Sequence, residues 1–166
     1  MSKKAIAPGR QPVYRSKLFQ EFVHDSYKSR GKLREPTVCP ECKAVFSKGR
    51  WQWLPRPKSA HEEMCPACHR IRDRFPAGYV KLEGDFFKEH RTELVGLVRH
   101  VEQKEKAEHP LQRVMDIVNE DGGVLVTTTD SHLAHGIGEA VHHAYGGQLD
   151  SHYNREENLL RVNWKR

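Results

Sequence analysis

The chain has 166 residues, of which 37% are hydrophobic and 30% charged, and a formal net charge of +6. That length supports one ordinary domain or two small ones, and no run approaches the roughly 18 apolar residues that span a bilayer. The basic N-terminus has no apolar segment behind it, so it does not read as a secretory signal. All four cysteines fall in two CxxC pairs, a spacing that argues for metal, a reducing compartment and a cytoplasmic protein rather than for disulfides.

The charge is unevenly spread. Residues 1–36 carry nine Lys/Arg against three acids, residues 37–78 eight against four, and residues 79–166 eleven against fifteen. The split suggests a polyanion-binding front end on a differently tasked back end, with a solubilising tail as the plain alternative.

Residues 1–36 read as a basic arm, disordered over residues 1–15 and followed by a short helix. Lys3, Lys4, Arg10, Arg15 and Lys17 stand among Pro8, Gly9 and Pro12 without periodicity. Leu18, Phe19, Phe22, Val23 and Tyr27 then fall close to helical spacing after a possible Ser16 cap, and Gly31 ends that helix. Lys28, Arg30, Lys32 and Arg34 add charge beyond its apolar face.

Residues 37–78 form the cysteine module. Cys39-Pro40-Glu41-Cys42 and Cys65-Pro66-Ala67-Cys68 each form a tight turn presenting two thiolates, and two such turns make a tetrahedral four-sulfur site. Zinc suits it best, with iron in a rubredoxin-like site as the alternative. Four cysteines leave no open position for a catalytic water, so the ion reads as structural. His61 beside Glu62 and Glu63 could replace a cysteine, but nothing else in the chain completes a hydrolase. Glycine often follows the second cysteine of such a turn; Lys43 and His69 stand there instead, which implies slight strain.

The loop between the pairs holds Lys48, Arg50, Arg56 and Lys58 around Trp51 and Trp53. Basic side chains interleaved with indoles suit phosphates and unpaired bases. The competing reading packs Trp51, Trp53 and Phe46 into a small ribbon core. Arg70, Arg72 and Arg74 alternate, so in an extended segment they lie on one face and favour phosphate binding.

Residues 79–109 are predicted as one long connecting helix with a thin apolar seam of Phe87, Leu94, Leu97, Val98 and Val101, stopped by Pro110. Residues 110–166 are predicted as a β-β-α-β-β unit. "LQRVMDIVNE" fits a helix or a strand, and the Gly-Gly turn before the strand-like "VLVTTT" favours a hairpin. Thr129 or Asp130 caps a helix carrying Leu133, Ile137, Ala140, Val141 and Ala144, and Gly146 ends it. "QLDSHY" and "NLLRVNW" flank a turn and read as a second hairpin. The fold class is thus α+β: a zinc ribbon and a small β-β-α-β-β unit joined by a long helix.

His132 and His135 share a helix face, with His142 and His143 two turns on. They read as a polar face rather than a second metal site. "GIGEA" is too short for a dinucleotide fingerprint, and no nucleophile set is readable, so no enzyme is expected.

The ribbon with "RIRDRFPAGY", the stretch "VMDIVNEDGGVLVTTTDSHLAHGIGEAVHHAYGG" and the closing "LLRVNW" resemble bacterial relatives of the nonsense-mediated-decay-three family, over roughly residues 37–166. That family comprises adaptors of the large ribosomal subunit, longer and with additional cysteine pairs. The resemblance implies Cys39, Cys42, Cys65 and Cys68 as zinc ligands and a protein that docks on ribosomal RNA, a ribosomal subunit or ribosomal proteins. It implies no nuclear export, and no residue-level RNA contacts. The expected function is therefore non-catalytic ribosome binding in assembly, quality control or hibernation. The rivals are a DNA-binding regulator using the same ribbon and an enzyme using the C-terminal histidines.

Overall fold

A computed structural model describes residues 26–29 and 31–166. The predicted arm and most of its helix, including Lys3, Lys4, Arg10, Arg15, Lys17 and Arg30, lie outside the described residues.

The cysteine module is built from very short strands: β1 (Thr37–Val38), β2 (Val45–Ser47), β3 (Arg50–Gln52) and β4 (His61–Glu62), in the order β3-β2-β1-β4. β1 and β2 pair antiparallel, and β1 and β4 parallel. The β2–β3 hairpin turns at Lys48 and Gly49, both with positive φ (53° and 77°), the backbone of the tight turns that match strand twist. Glu35 fixes this turn, its carboxylate accepting from Lys48 N at 2.7 Å and Gly49 N at 3.0 Å.

The second cysteine pair opens a helix, α1 (Pro66–Asp73). Proline at the first helical position costs no hydrogen bond there, and the Cys65 sulfur accepts from Cys68 N as the cap. His69 is therefore an ordinary helical residue, and the expected strain falls on Lys43 alone, whose φ is 67°.

Beyond α1 the chain enters a sheet where a helix was expected. β5 (Gly78–Glu83), α2 (Asp85–Glu89) and α3 (Arg91–Glu108) replace the single connecting helix over 79–109. The reason is a period of two: in Gly78-Tyr79-Val80-Lys81-Leu82-Glu83, burial alternates strictly, as a strand demands. Gly84, at φ 112°, ends it, and a Cβ there would collide with the Arg166 backbone at 2.2 Å. β6 (Val114–Glu120), β7 (Gly123–Thr128), α4 (Ser131–Tyr145), β8 (Gln148–Asn154) and β9 (Leu159–Lys165) follow. That is the predicted β-β-α-β-β order.

These strands form a second sheet in the order β6-β7-β5-β9-β8, with β5 and β9 parallel at its centre. Val80, Leu82, Val124, Val126, Val162 and Trp164 are buried on one face, with Phe87, Leu94 and Val98 of α2–α3 and Leu133, Ile137 and Val141 of α4 in the same core. So α3 is not a bridge with a thin seam; it is a wall of the sheet unit. Gly138, in "GIGEA", lets α4 approach β9: a Cβ there would sit 2.5 Å from Val162. Trp164 is fully buried and its indole N–H donates to Gly146 O at 2.7 Å, tying the last strand to the helix end. No helix among the described residues is long and apolar enough to cross a membrane.

Candidate metal centre and its cationic surroundings

The four cysteines converge. One sulfur from each of Cys39, Cys42, Cys65 and Cys68 lies within 4.8 Å of all the others, and Cys42 and Cys65 are 3.7 Å apart. A tetrahedral ion bound at about 2.3 Å per sulfur spaces its ligands by about 3.8 Å, so the set could hold a metal ion such as zinc. The first pair sits in a loop closed by Cys39 N donating to Ala44 O and Lys43 N to Cys39 O. The second sits at the start of α1, and Cys65 N donates to the Cys39 sulfur at 3.3 Å.

The residue that completes this site was not foreseen. Arg113, 7% exposed, aims its guanidinium into the cluster. Nη1 donates to the Cys68 sulfur at 3.4 Å, and Nη2 to those of Cys42 and Cys65, each at 3.3 Å. Its Nε donates to Pro110 O at 2.7 Å, and its backbone N–H to Thr129 Oγ1 at 2.9 Å. Thr129 in turn donates to Leu111 O. Asp130, not Thr129, caps α4, accepting from His132 N and Leu133 N. Thr129 is thereby left to position the arginine. Nothing local in "LQRVMD" marks Arg113, because the sulfurs it serves lie 45 to 71 positions away.

The electrostatics follow from this packing. The hydrogen bond with Cys65 holds the Cys42 thiol down to about 4, against the opposing pull of burial. The same bond, with burial, pushes Cys65 far above the ordinary thiol range. Burial raises Cys68. Burial also works against the Arg113 charge, but its hydrogen bond to Cys68 and the neighbouring sulfur charges outweigh that and move it upward. A fixed guanidinium beside four thiolates offsets part of the excess negative charge that such a ligand set keeps around a divalent ion.

Around the centre, the nominated cations separate into groups. Lys28, Lys32, Arg34, Lys48, Arg50, Arg56, Lys58, Arg72 and Arg74 are exposed; Arg56 pairs with Glu62 and Arg72 with Asp73. The expected one-faced row of Arg70, Arg72 and Arg74 does not form. Arg70 and Arg72 are helical, where a 100° step per residue sends positions two apart to opposite sides, and Arg74 is the left-handed residue that ends the helix. Arg70 is 5% exposed, donating to Phe75 O and lying over the rings of Tyr27 and Phe75.

Both tryptophans of the module make contacts within the fold. Trp51 packs on the cysteine cluster and edge-on to Phe46 at 5.5 Å. Trp53, though 39% exposed, donates its N–H to Lys106 O at 2.7 Å, pinning the ribbon to α3. The histidines assemble no further metal cluster among the described residues; His132 approaches Asp130 at 3.4 Å and His135 approaches Glu139 at 4.0 Å.

Fold and site together define a four-cysteine ribbon locked onto an α+β sheet unit by an arginine. Comparisons with family models, with curated proteins and with solved structures returned no match to this chain.

Proposed function

We propose that the chain is a non-catalytic RNA-binding protein of the cytoplasm with one structural zinc ion, and that its target is ribosomal RNA on a ribosome or ribosomal subunit. The observation that carries this reading is the arrangement around the cysteines. The sulfurs are taken up by one another, by two backbone amides and by Arg113, while the surface of the same module is lined with exposed cations. Such a centre offers no position for a substrate and holds its shape with little apolar core. Lys32, Lys48, Arg50, Lys58 and Arg74 stand out from it, without an acidic partner among the described residues. Together with the charge of residues 1–36, they give the front end the positive field a polyanion requires. The ribosomal target, in assembly, quality control or hibernation, rests on the resemblance of residues 37–166 to the nonsense-mediated-decay-three family.

Sucrose-gradient sedimentation of cell lysate at low and raised salt tests the reading. Co-migration with a ribosomal subunit that weakens as salt rises, because phosphate contacts release counterions, is the expected result. A protein that stays at the top of the gradient in every growth phase overturns it. Metal analysis of purified protein should return one zinc per chain.

A further inference from the structure

We propose that the segment leaving α1, together with β9, forms a stacking site for an unpaired nucleotide of RNA; this deepens the RNA-binding reading and rests on it. A groove of about 500 Å³ is lined by Arg74, Phe75, Tyr79 and Arg161. That is room for a single nucleotide by the usual size of small-ligand pockets, roughly 300–1,000 Å³.

Three features equip the groove. Phe75 is 52% exposed although its backbone is clamped twice: its N–H donates to Arg70 O and its carbonyl accepts from Arg70 Nη1. The ring is thus presented by a rigid element instead of waving in solvent. The Phe75 and Tyr27 rings have centroids 5.9 Å apart, and the buried Arg70 guanidinium sits beside both, 4.6 Å from Tyr27 and 5.9 Å from Phe75, so the platform is already a cluster of flat groups. In the same lining, the Arg161 guanidinium covers the ring of Tyr79, its register partner on the neighbouring strand, at 4.9 Å, giving a second flat surface. Unpaired bases stack on such rings and on arginine planes.

Arg74 adds the charge and a further clue. It ends α1 at φ 52°, ψ 42°, a left-handed position that normally falls to glycine. A side chain kept where glycine is easier, exposed and beside Phe75, fits a phosphate contact, since strained positions of this kind gather at functional sites. Glu156 and Glu157 also line the groove. They repel phosphate, so the phosphate contact is assigned to Arg74. A double helix cannot place a base against Phe75, so the site selects single strands or loops.

Fluorescence anisotropy of the full-length, metal-loaded protein with a labelled short oligouridylate, read across a salt series, tests this. Phe75→Ala should weaken binding about tenfold with the salt slope unchanged, and Phe75→Trp should restore it. Arg74→Gly should weaken binding and lower the slope by about 0.7, one phosphate on a single strand, while the thermal midpoint holds or rises because glycine suits that backbone. Opposite signs in binding and stability exclude a folding defect as the cause. Glu157→Gln should tighten binding. Wild-type binding that survives both Phe75→Ala and Arg74→Gly overturns this site and leaves the RNA reading intact. No binding of any RNA by the wild-type protein overturns both.

Discussion

The ribbon and the sheet unit solve the same problem with different materials. The sheet unit buries a continuous core from Val80 to Trp164, contributed by all three of its helices and by strands β5, β6, β7 and β9. The ribbon buries Cys39, Cys65, Ala67 and Cys68, with Trp51, Met64 and Leu111 against them, and beside these only Val38, Ala44 and Val45 as further buried apolar side chains among the described residues. A core that small cannot offset chain entropy without a cross-link, which a metal ion held by the four sulfurs would supply. The difference teaches where surface is free to be used. Residues 28–74 need few side chains for packing and display ten exposed cations among the described residues, whereas the sheet unit spends its alternation on burial.

Removing the metal should break the comparison most severely. Structural zinc in small modules contributes about 10–16 kcal/mol. Chelation should therefore erase amide-exchange protection across residues 37–68 while Val80 and Val126 stay protected. Simultaneous loss in both halves would show one cooperative body instead of two. The reciprocal change, Trp164→Ala, removes a fully buried ring and its hydrogen bond to Gly146. It should cost about 3–5 kcal/mol in denaturant unfolding followed on the sheet unit, with metal content unchanged.

Arg113→Ala probes the link between the halves. It removes all three guanidinium contacts to sulfur and should lower zinc affinity about 10- to 100-fold in competition with a chromophoric chelator. Arg113→Lys keeps the charge but not the fork, so it should recover only part of that loss. Affinity equal to wild type in the alanine variant would make the arginine a bystander. The smallest effect is expected from Trp53→Phe, which deletes one half-exposed hydrogen bond to Lys106 O and should cost about 0.5–1.5 kcal/mol. Its signature is faster exchange in the last turn of α3, not a change in metal binding.

What the sequence made legible was what is local. The two CPxC turns, a cap at Thr129 or Asp130, the Gly146 helix stop and the last hairpin announce themselves within a few residues, and the Gly-Gly turn tips an ambiguous segment toward the first hairpin. β5 was hidden because its six residues adjoin a longer stretch of helical period, and because its partners β7 and β9 are distant in the chain. The arginine row failed for a related reason. Alternation implies one face only in an extended chain, and Pro66 behind a cysteine cap makes that stretch helical. Arg113 gave no signal, since a buried arginine and an exposed one look alike until the sulfurs it serves are in place.

Arg113 also imposes an order of events during synthesis. All four sulfurs have been made once Cys68 is complete, but the cation that offsets them comes 45 residues later. Until then the nascent ribbon holds its thiolates, and any ion between them, with no counter-charge from the sheet unit. The centre is finished only when the strand beginning at Val114 has been made and its neighbour Thr129 holds the arginine in place. Assembly of the metal centre thus reports that the chain beyond it has begun to fold.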